Sequence, residues 1–280
     1  MCLIFLGFQS HSQFPLVVAA NRDEFFARDT RQAHRWEDGT LAGRDGRAGG
    51  TWLGLRPSGK GYRFAAITNR RAASAPAQAR SRGELTTQFL AGSQSAEAYA
   101  KAVQSRAGDY AGFNLLLCDG DRLFYVGSEL SNALELAPGI YGLSNGSLDE
   151  PWPKLRTGKS RFSDLLQSSA SPTTDSLIAL MDERTPAADS QLPSTGIPKD
   201  LERRLSSAFI VNEPEHELLA DYGTLCSTAV LVDSEGALRF HERNFDRRGQ
   251  ASRSHYFSNT SYSLNTSRSA CVPTKTLCRR

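Results

Sequence analysis

The chain has 280 residues, of which 39% are hydrophobic and 9% aromatic, a composition typical of a globular protein and not of a disordered or fibrous one. Its formal net charge of +3 is unevenly distributed, because residues 247–280 carry +7 and residues 1–246 carry −4. A basic tail on a slightly acidic body argues against nucleic acid as a partner. We expect a single domain at 1–246 and a disordered, Ser/Thr-rich tail at 247–280.

Cysteine usage and hydropathy indicate the compartment. The chain contains five cysteines, none of them in a Cys-x-x-Cys pair: Cys2, Cys118, Cys226, Cys271 and Cys278. An odd number without paired spacing argues against a disulfide scaffold. No apolar stretch reaches the length of a membrane span, and the apolar run at 3–8 is too short for a signal sequence. We therefore expect a cytoplasmic protein without a membrane span, and the sequence leaves the oligomeric state open.

The first predicted element is a β-hairpin with strands at 3–8 and 16–20, separated by a polar turn. Residues 21–50 are polar and rich in Arg, Asp and Gly, a pattern that favours a long functional loop. Two further strands are predicted at 51–55 and 62–68. The first quarter of the chain is thus predicted to consist of strands interrupted by one polar segment.

The remainder of the chain alternates between groups of helices and groups of strands. Helices are predicted at 85–90, 95–107, 152–169 and 173–183, and strands at 113–118, 122–127, 140–144, 228–232 and 238–245. A Pro/Ser/Thr/Gly-rich loop separates the last two groups at 184–198. Because a regular βαβ alternation is absent, we predict an α+β fold of mainly antiparallel sheets covered by helices.

Several kinds of site are excluded by the motifs that are missing. The glycines at 43–50 match neither a Walker A loop nor a dinucleotide-binding fingerprint, and no nucleophile-elbow motif is present. The five histidines lack metal-ligand spacing, so we predict neither a metal nor another cofactor. Asp23 and Glu24 are adjacent on extended backbone and point to opposite sides, which disfavours a glycosidase-like carboxylate pair.

Cys2 directly follows the initiator Met and begins the first predicted strand. Methionine aminopeptidase removes Met before a small residue, so we expect the mature chain to begin with this cysteine. Its α-amine, with a reference pKa near ~8, can then accept the thiol proton. A nucleophile and its general base would be united in one residue. The alternative is that Cys2 is a small buried hydrophobe at the start of a strand.

Polar residues end the second predicted strand, in the segment Asn21-Arg22-Asp23-Glu24. In an antiparallel hairpin the end of the second strand lies beside the start of the first, so this segment should lie within reach of Cys2. The alternative is an ordinary solvated turn.

Together these motifs resemble the NRDE family, also called Transport and Golgi organisation 2. The resemblance covers about residues 1–246 and comprises Met1-Cys2, 20–24 (ANRDE), 49–54 (GGTWLG), 66–70 (AITNR), 142–146 (GLSNG) and 149–154 (DEPWPK). The family is similar to the N-terminal nucleophile hydrolases of the penicillin V acylase and bile salt hydrolase branch. This resemblance implies a four-layer αββα sandwich and hydrolysis of a non-peptide amide of a small acylated molecule.

The same resemblance implies roles for individual residues. Cys2 would attack the carbonyl carbon, and Asp23 would hold the α-amine. Asn69 would donate to the oxyanion, and Asn145 would bond the α-amine or the intermediate; neutral amides can stabilise negative charge without pairing with the thiolate. Supporting positions are the remaining residues of the NRDE segment, Asn21, Arg22 and Glu24. For Arg22 we favour bracing the segment over lowering the thiol pKa.

One departure from the family pattern weakens the expectation of activity. The family usually has arginine after Tyr-Gly-Thr, and here Leu225 follows 222–224. Leucine cannot replace a fixed guanidinium charge near a nucleophile. A non-enzymatic trafficking or carrier protein, with a haem-like ligand held by Cys2 or a histidine, is therefore the alternative function. A globular protein with a decayed site is the third.

Overall fold

The computed structural model describes residues 2–59, 61–71, 79–168, 171–216 and 219–259. Two sheets, antiparallel throughout, form the centre of this part of the chain. Sheet A has the spatial order β10 (Gly139–Leu143), β1 (Cys2–Phe8), β2 (Leu16–Phe25), β11 (Tyr222–Val232), β12 (Leu238–Phe245) and β13 (Ala251–Ser258). Sheet B has the order β3 (Thr30–Arg35), β4 (Leu41–Asp45), β5 (Leu53–Ser58), β6 (Gly61–Asn69), β7 (Phe113–Cys118), β8 (Leu123–Gly127) and β9 (Leu134–Leu136).

Helices cover the outer face of each sheet. Sheet B packs against α1 (Gly83–Ala91) and α2 (Ala96–Gln104), and sheet A packs against α3 (Pro153–Ser168) and α4 (Thr174–Leu180), while α5 (Lys199–Arg204) lies in the segment before β11. Successive side chains of each strand point to opposite faces of its sheet, as the β-pleat requires. Along β1, Ile4 and Leu6 enter the core between the sheets, whereas Leu3 and Phe5 pack under α3 and α4. The order helices, sheet, sheet, helices confirms the predicted α+β fold with αββα layers.

Close packing between β1 and α3 depends on a glycine. Gly158 lies inside α3, where alanine normally stabilises a helix by about 1 kcal/mol. A Cβ at this position would lie 2.2 Å from Cζ of the buried Phe5 ring. We expect Gly158→Ala to lower the free energy of unfolding by about 1–3 kcal/mol because the core would be overpacked, as measured by urea denaturation.

The control for this prediction is a double-mutant cycle. Phe5→Leu shortens the opposing side chain, so Gly158→Ala should cost less in that background than in the wild-type chain. A Gly158→Ala variant that is more stable than wild type would contradict the packing argument.

The prediction of a loop at 21–50 was wrong. Strand β2 continues to Phe25, and β3 and β4 form the edge of sheet B within this segment. In β3 only Ala33 is buried, so its sequence lacks the apolar alternation by which a strand is recognised. In β2, Asn21 and Asp23 are buried polar residues with hydrogen-bond partners in other elements. Tertiary partners therefore stabilise strands that composition disfavours.

Disorder was also the wrong expectation for part of the tail. Strand β13 pairs with β12 along the edge of sheet A, from Arg239 opposite Ser258 to Phe245 opposite Ala251. Its side chains are exposed or half-buried, so backbone pairing holds it and the sequence shows little apolar signal. The rest of the predicted tail, at 260–280, lies outside the described residues.

Candidate functional site

Cys2 is the first residue of β1, a strand with a neighbour on each side. Cys2, Arg22, Cys226 and Asn244 are successive Cα partners across four adjacent strands of sheet A. The Cα atoms of Cys2 and Cys226 are thus two strands apart, about 10 Å, which is too far for a disulfide. The predicted proximity of the NRDE segment to Cys2 is confirmed, because Arg22 lies directly opposite it.

Cys2 is 9% exposed, and its surroundings favour the neutral thiol over the thiolate. Burial raises its pKa to about 11, and the positive charges of the amino terminus and of Arg22 offset part of this rise. At pH 7 roughly one molecule in 10,000 would hold the thiolate. A base close to the sulfur is therefore required for nucleophilic chemistry at neutral pH.

Asp23 is buried in β2, one residue after the Cα partner of Cys2. Its Oδ1 accepts a hydrogen bond from Thr224 Oγ1 at 2.7 Å, across the β2–β11 pair. Burial raises the pKa of the Asp23 carboxyl, while the charges of the amino terminus and of Lys154 act in the opposite direction. The carboxyl is thus positioned by Thr224 and coupled to the amino-terminal charge.

The other residues of the segment brace the strand. Asn21 Nδ2 donates to the carbonyl oxygens of Met181 and Ala208, each at 2.9 Å, and Ser227 Oγ donates to Asn21 Oδ1 at 2.6 Å. These contacts anchor β2 to the layer that carries α4. Asn21 therefore has a supporting position outside the cavity described below.

Arg22 and Glu24 lie on the cavity side of β2. Arg22 Nη1 donates to Thr30 Oγ1 at 3.2 Å, and Glu24 lies 3.9 Å from both Arg22 and Arg28. Arg22 thus holds the start of β3, and its charge also lowers the pKa of Cys2, although burial dominates.

Asn69 and Asn145 come from opposite sheets and meet through the backbone. Asn69 ends β6 with an exposed side chain, and its carbonyl oxygen accepts a bond from Asn145 Nδ2 at 2.7 Å. The buried Asn145 follows Ser144, whose Oγ donates to the Cys2 carbonyl at 3.0 Å. Asn145 is thereby committed to positioning β6 against β1, and its side chain is outside the cavity wall.

A buried network holds this junction in place. Asn114 Nδ2 donates to Gly146 O at 2.9 Å and to Thr68 Oγ1 at 3.1 Å, and Tyr125 Oη donates to Asn114 Oδ1 at 2.7 Å. Thr68 Oγ1 in turn donates to the Ser144 carbonyl at 2.5 Å. Sheet B thus fixes the segment that touches Cys2.

A cavity of about 490 Å³ lies between the two sheets and above Cys2. Its wall contains most of the residues singled out from the sequence: Cys2, Arg22, Asp23, Glu24 and Asn69. Leu225 also lines it, as the extra residue of a β-bulge between Thr224 and Cys226. The predicted residues, apart from Asn21 and Asn145, therefore share one concave surface of the size that holds small ligands.

Two charged residues of the site were missed in the sequence. Arg82 lines the cavity, and its Nη1 donates to Gly112 O at 3.1 Å. Lys154 is buried at the start of α3, where Nζ donates to Leu205 O at 3.0 Å. Burial lowers the pKa of Lys154 to about 8, although Asp23 and Cys2 favour its charge. The Trp-Pro-Lys motif could have pointed to Lys154 in the sequence, whereas no motif pointed to Arg82.

No group of three or more possible metal ligands occurs among the residues that the structure describes. Over the same residues, no helix combines the length and hydrophobicity that crossing a bilayer requires.

The described residues thus form a four-layer αββα sandwich in which Cys2 is the first residue of an inner strand of sheet A. The chain belongs to the Transport and Golgi organisation 2 family, whose sequence model matches residues 1–247. It is 37% identical over 265 residues to the Transport and Golgi organization protein 2 homologs of Bos taurus and of Homo sapiens, with 87% of this chain and 93% of each relative covered. Among solved structures, Anbu (ancestral beta-subunit) from Yersinia bercovieri overlaps 93% of this chain and 88% of its own at a TM-score of 0.36 and 10% identity.

Proposed function

We propose that the chain, once Met1 is removed, is an N-terminal-cysteine hydrolase of a non-peptide amide in a small acylated molecule. The observation that carries this proposal is the placement of Cys2 in the wall of a cavity that both sheets line, with Asp23 in the same wall. A buried thiol with a pKa of about 11 needs an adjacent base, and the α-amine of Cys2 would supply one.

The proposed reaction has two balanced halves. The α-amine accepts the thiol proton, the sulfur forms a bond to the amide carbonyl carbon, and the oxyanion receives a hydrogen bond from the side chain of Asn69. The carbon–nitrogen bond then breaks, and the leaving amine takes the proton from the α-ammonium. Water next attacks the Cys2 thioester with the α-amine as base, which releases a carboxylic acid and restores the thiol.

Asp23 and Asn145 have different parts in this proposal. Asp23, oriented by Thr224, would hold the α-amine so that it faces the thiol instead of attacking the thioester. Asn145 would act through the Asn69 carbonyl, as a positioning residue for β6.

Release of the α-amine tests the proposal directly. The chain is produced with an amino-terminal extension that a protease removes to leave Cys2 first, and alkylation of Cys2 by iodoacetamide is followed by mass spectrometry. We expect the alkylation rate at pH 7.5 to rise about tenfold or more on cleavage, because the freed amine can accept the thiol proton.

Cys118 is the internal control in the same molecule. It is buried in β7, outside the cavity, and burial raises its pKa to about 12, so its alkylation should be equally slow before and after cleavage. Equal Cys2 rates in the two forms would overturn the proposed base. Mass analysis of the natural amino terminus completes the test, since a retained Met1 would block the amine.

A non-enzymatic trafficking or carrier function is the alternative, and the apolar side chain of Leu225 in the cavity wall favours it. The relatives are named for transport and Golgi organization. Among the described residues, no histidine lines the cavity, so a haem-like ligand there would depend on the thiolate of Cys2 or Cys226. Titration with haemin, with and without Cys2→Ala, would detect such a ligand by its absorption shift.

A further inference from the structure

The cavity above Cys2 is strongly cationic. Seven arginines line it against four carboxylates, and no lysine is part of its wall in the described structure. The arginines come from three places: β2 with the turn after it, the β3–β4 hairpin with the turn that follows, and the segment before α1. Such a concentration of one charge sign in a concave site raises the local concentration of ligands of opposite sign.

Several of these arginines are committed to the protein itself. Arg28 pairs with Asp45 at 2.6 Å, and Arg80 pairs with Glu84 at 2.6 Å. Arg44 donates from Nε to Gly49 O at 2.8 Å and lies 4.7 Å above the Trp36 ring. The guanidinium groups of Arg28, Arg80 and Arg44 therefore already have partners within the protein.

Arg31 and Arg47 differ from these three arginines because their guanidinium groups have no partner among the described residues. Both are exposed side chains of the β3–β4 region and line the cavity. Arg82, from the segment before α1, also lines the cavity, and only its Nη1 bonds to the Gly112 carbonyl, so the other N–H groups of its guanidinium remain as donors. These three guanidinium groups are available to a ligand.

The four carboxylates of the wall leave a formal excess of three positive charges, seven minus four. Asp45 and Glu24 are engaged by Arg28, at 2.6 and 3.9 Å. Glu242 is buried, and its Oε1 accepts from the Ala33 amide at 2.7 Å and from Asn244 Nδ2 at 3.1 Å. Burial raises the pKa of both Glu242 and Asp23.

We propose that the molecule bound above Cys2 carries an anionic group, a carboxylate or a phosphate, which Arg31, Arg47 and Arg82 bind while its amide faces the thiol. This inference deepens the proposed hydrolase and rests on it for the position of the amide. Guanidinium groups suit both anions, because their planar fork matches two oxygens of either.

Paired alkylating reagents measure the preference at Cys2 itself. Iodoacetate and iodoacetamide both form an S–CH2 bond to the sulfur, release iodide and leave the thiol proton to the base, but only iodoacetate is an anion. We expect the ratio of iodoacetate to iodoacetamide rates at Cys2 to exceed the ratio for a peptide beginning Cys-Leu-Ile by about tenfold at low salt. The excess should shrink in 0.5 M salt, as screened charges require, with the Debye length falling to roughly 4 Å.

Matched substitutions identify the residues responsible. Arg31→Gln and Arg47→Gln should each lower the ratio about two- to threefold, and the double variant should bring it close to the peptide value. Arg35→Gln is the control, because Arg35 is exposed on the same strand but does not line the cavity. A wild-type ratio equal to that of the peptide, or an equal effect of Arg35→Gln, would overturn the proposal.

A binding measurement separates this proposal from the nucleophile. In the Cys2→Ala chain, calorimetry compares N-octanoylglycine, N-octanoylethanolamine phosphate and the neutral N-octanoylglycinamide. We expect at least one anion to bind about tenfold more tightly than the neutral amide, and the stronger of the two identifies the anionic group. Anions that bind no better than the amide refute the inference. Failure of both alkylating reagents at Cys2 would instead contradict the proposed nucleophile.

Discussion

Replacing Cys2 by serine in the processed chain is expected to lower acyl transfer about 1,000-fold or more, because a hydroxyl is a far weaker nucleophile than a thiol beside the same amine. Since the natural amide is unidentified, p-nitrophenyl acetate serves as the acyl donor. The rate of p-nitrophenolate release, corrected for spontaneous hydrolysis, is measured together with the mass of the acetylated protein.

Cys118→Ala is the matched control for this loss. Cys118 is also a buried thiol, with its Sγ 3.7 Å from Tyr62 Oη, but it lies in sheet B away from the cavity. Its removal should leave acyl transfer within about twofold, whereas a Cys2→Ser chain retaining a tenth of the activity would contradict a Cys2 nucleophile.

The largest loss of stability is expected from Glu202→Ala in α5. Glu202 is 3% exposed in its side chain and lies 2.5 Å from Nη1 of Arg71, which is 9% exposed and stacks 4.8 Å from the Trp152 ring centre. Removing the carboxylate leaves a buried guanidinium less compensated, which costs about 3–5 kcal/mol of unfolding free energy. Urea denaturation monitored by tryptophan fluorescence measures this cost.

The neighbouring pair of Arg70 and Glu129 provides the control. Its oxygen and nitrogen are also close, at 2.6 Å, but Glu129 is 57% exposed. Glu129→Ala should therefore cost less than about 1 kcal/mol. If the two variants lost equal stability, burial would not be what makes the Glu202 pair important. Because the Arg71 amide donates to the Asn145 carbonyl at 2.8 Å, Glu202→Ala should also slow the acyl transfer defined above.

The elements that sequence patterns predicted well are those with clear apolar periodicity. The first hairpin, the Asp119-Gly120 turn with its two strands, and helices α1 to α4 all occur close to the predicted positions. Each of these has one face in a core, so burial itself imposes the pattern. Strand β3 and strand β13 lie at sheet edges with mostly polar side chains, and α5 is short; backbone pairing and tertiary contacts hold them, which leaves little periodic signal.

In the candidate site, too, some contacts could be predicted from the sequence and others depend on the tertiary structure. Hairpin geometry was enough to predict that Arg22 lies opposite Cys2, because the register of an antiparallel hairpin depends on the turn that joins its strands. The family resemblance pointed to Asn69 and Asn145, and the structure joins them through one hydrogen bond, but it assigns the Asn145 amide to the Asn69 backbone. No local rule specifies which partner a side chain chooses across two sheets.

By itself, then, the sequence determined the layered α+β class and the pairing of the NRDE segment with Cys2, because apolar periodicity and hairpin register depend on residues close together in the chain. The tertiary structure alone decided the character of the cavity. Arg31, Arg47 and Arg82 meet above Cys2 only because sheet B packs face to face on sheet A. The charge that a ligand would encounter is therefore a property of the packed sandwich and not of any one motif.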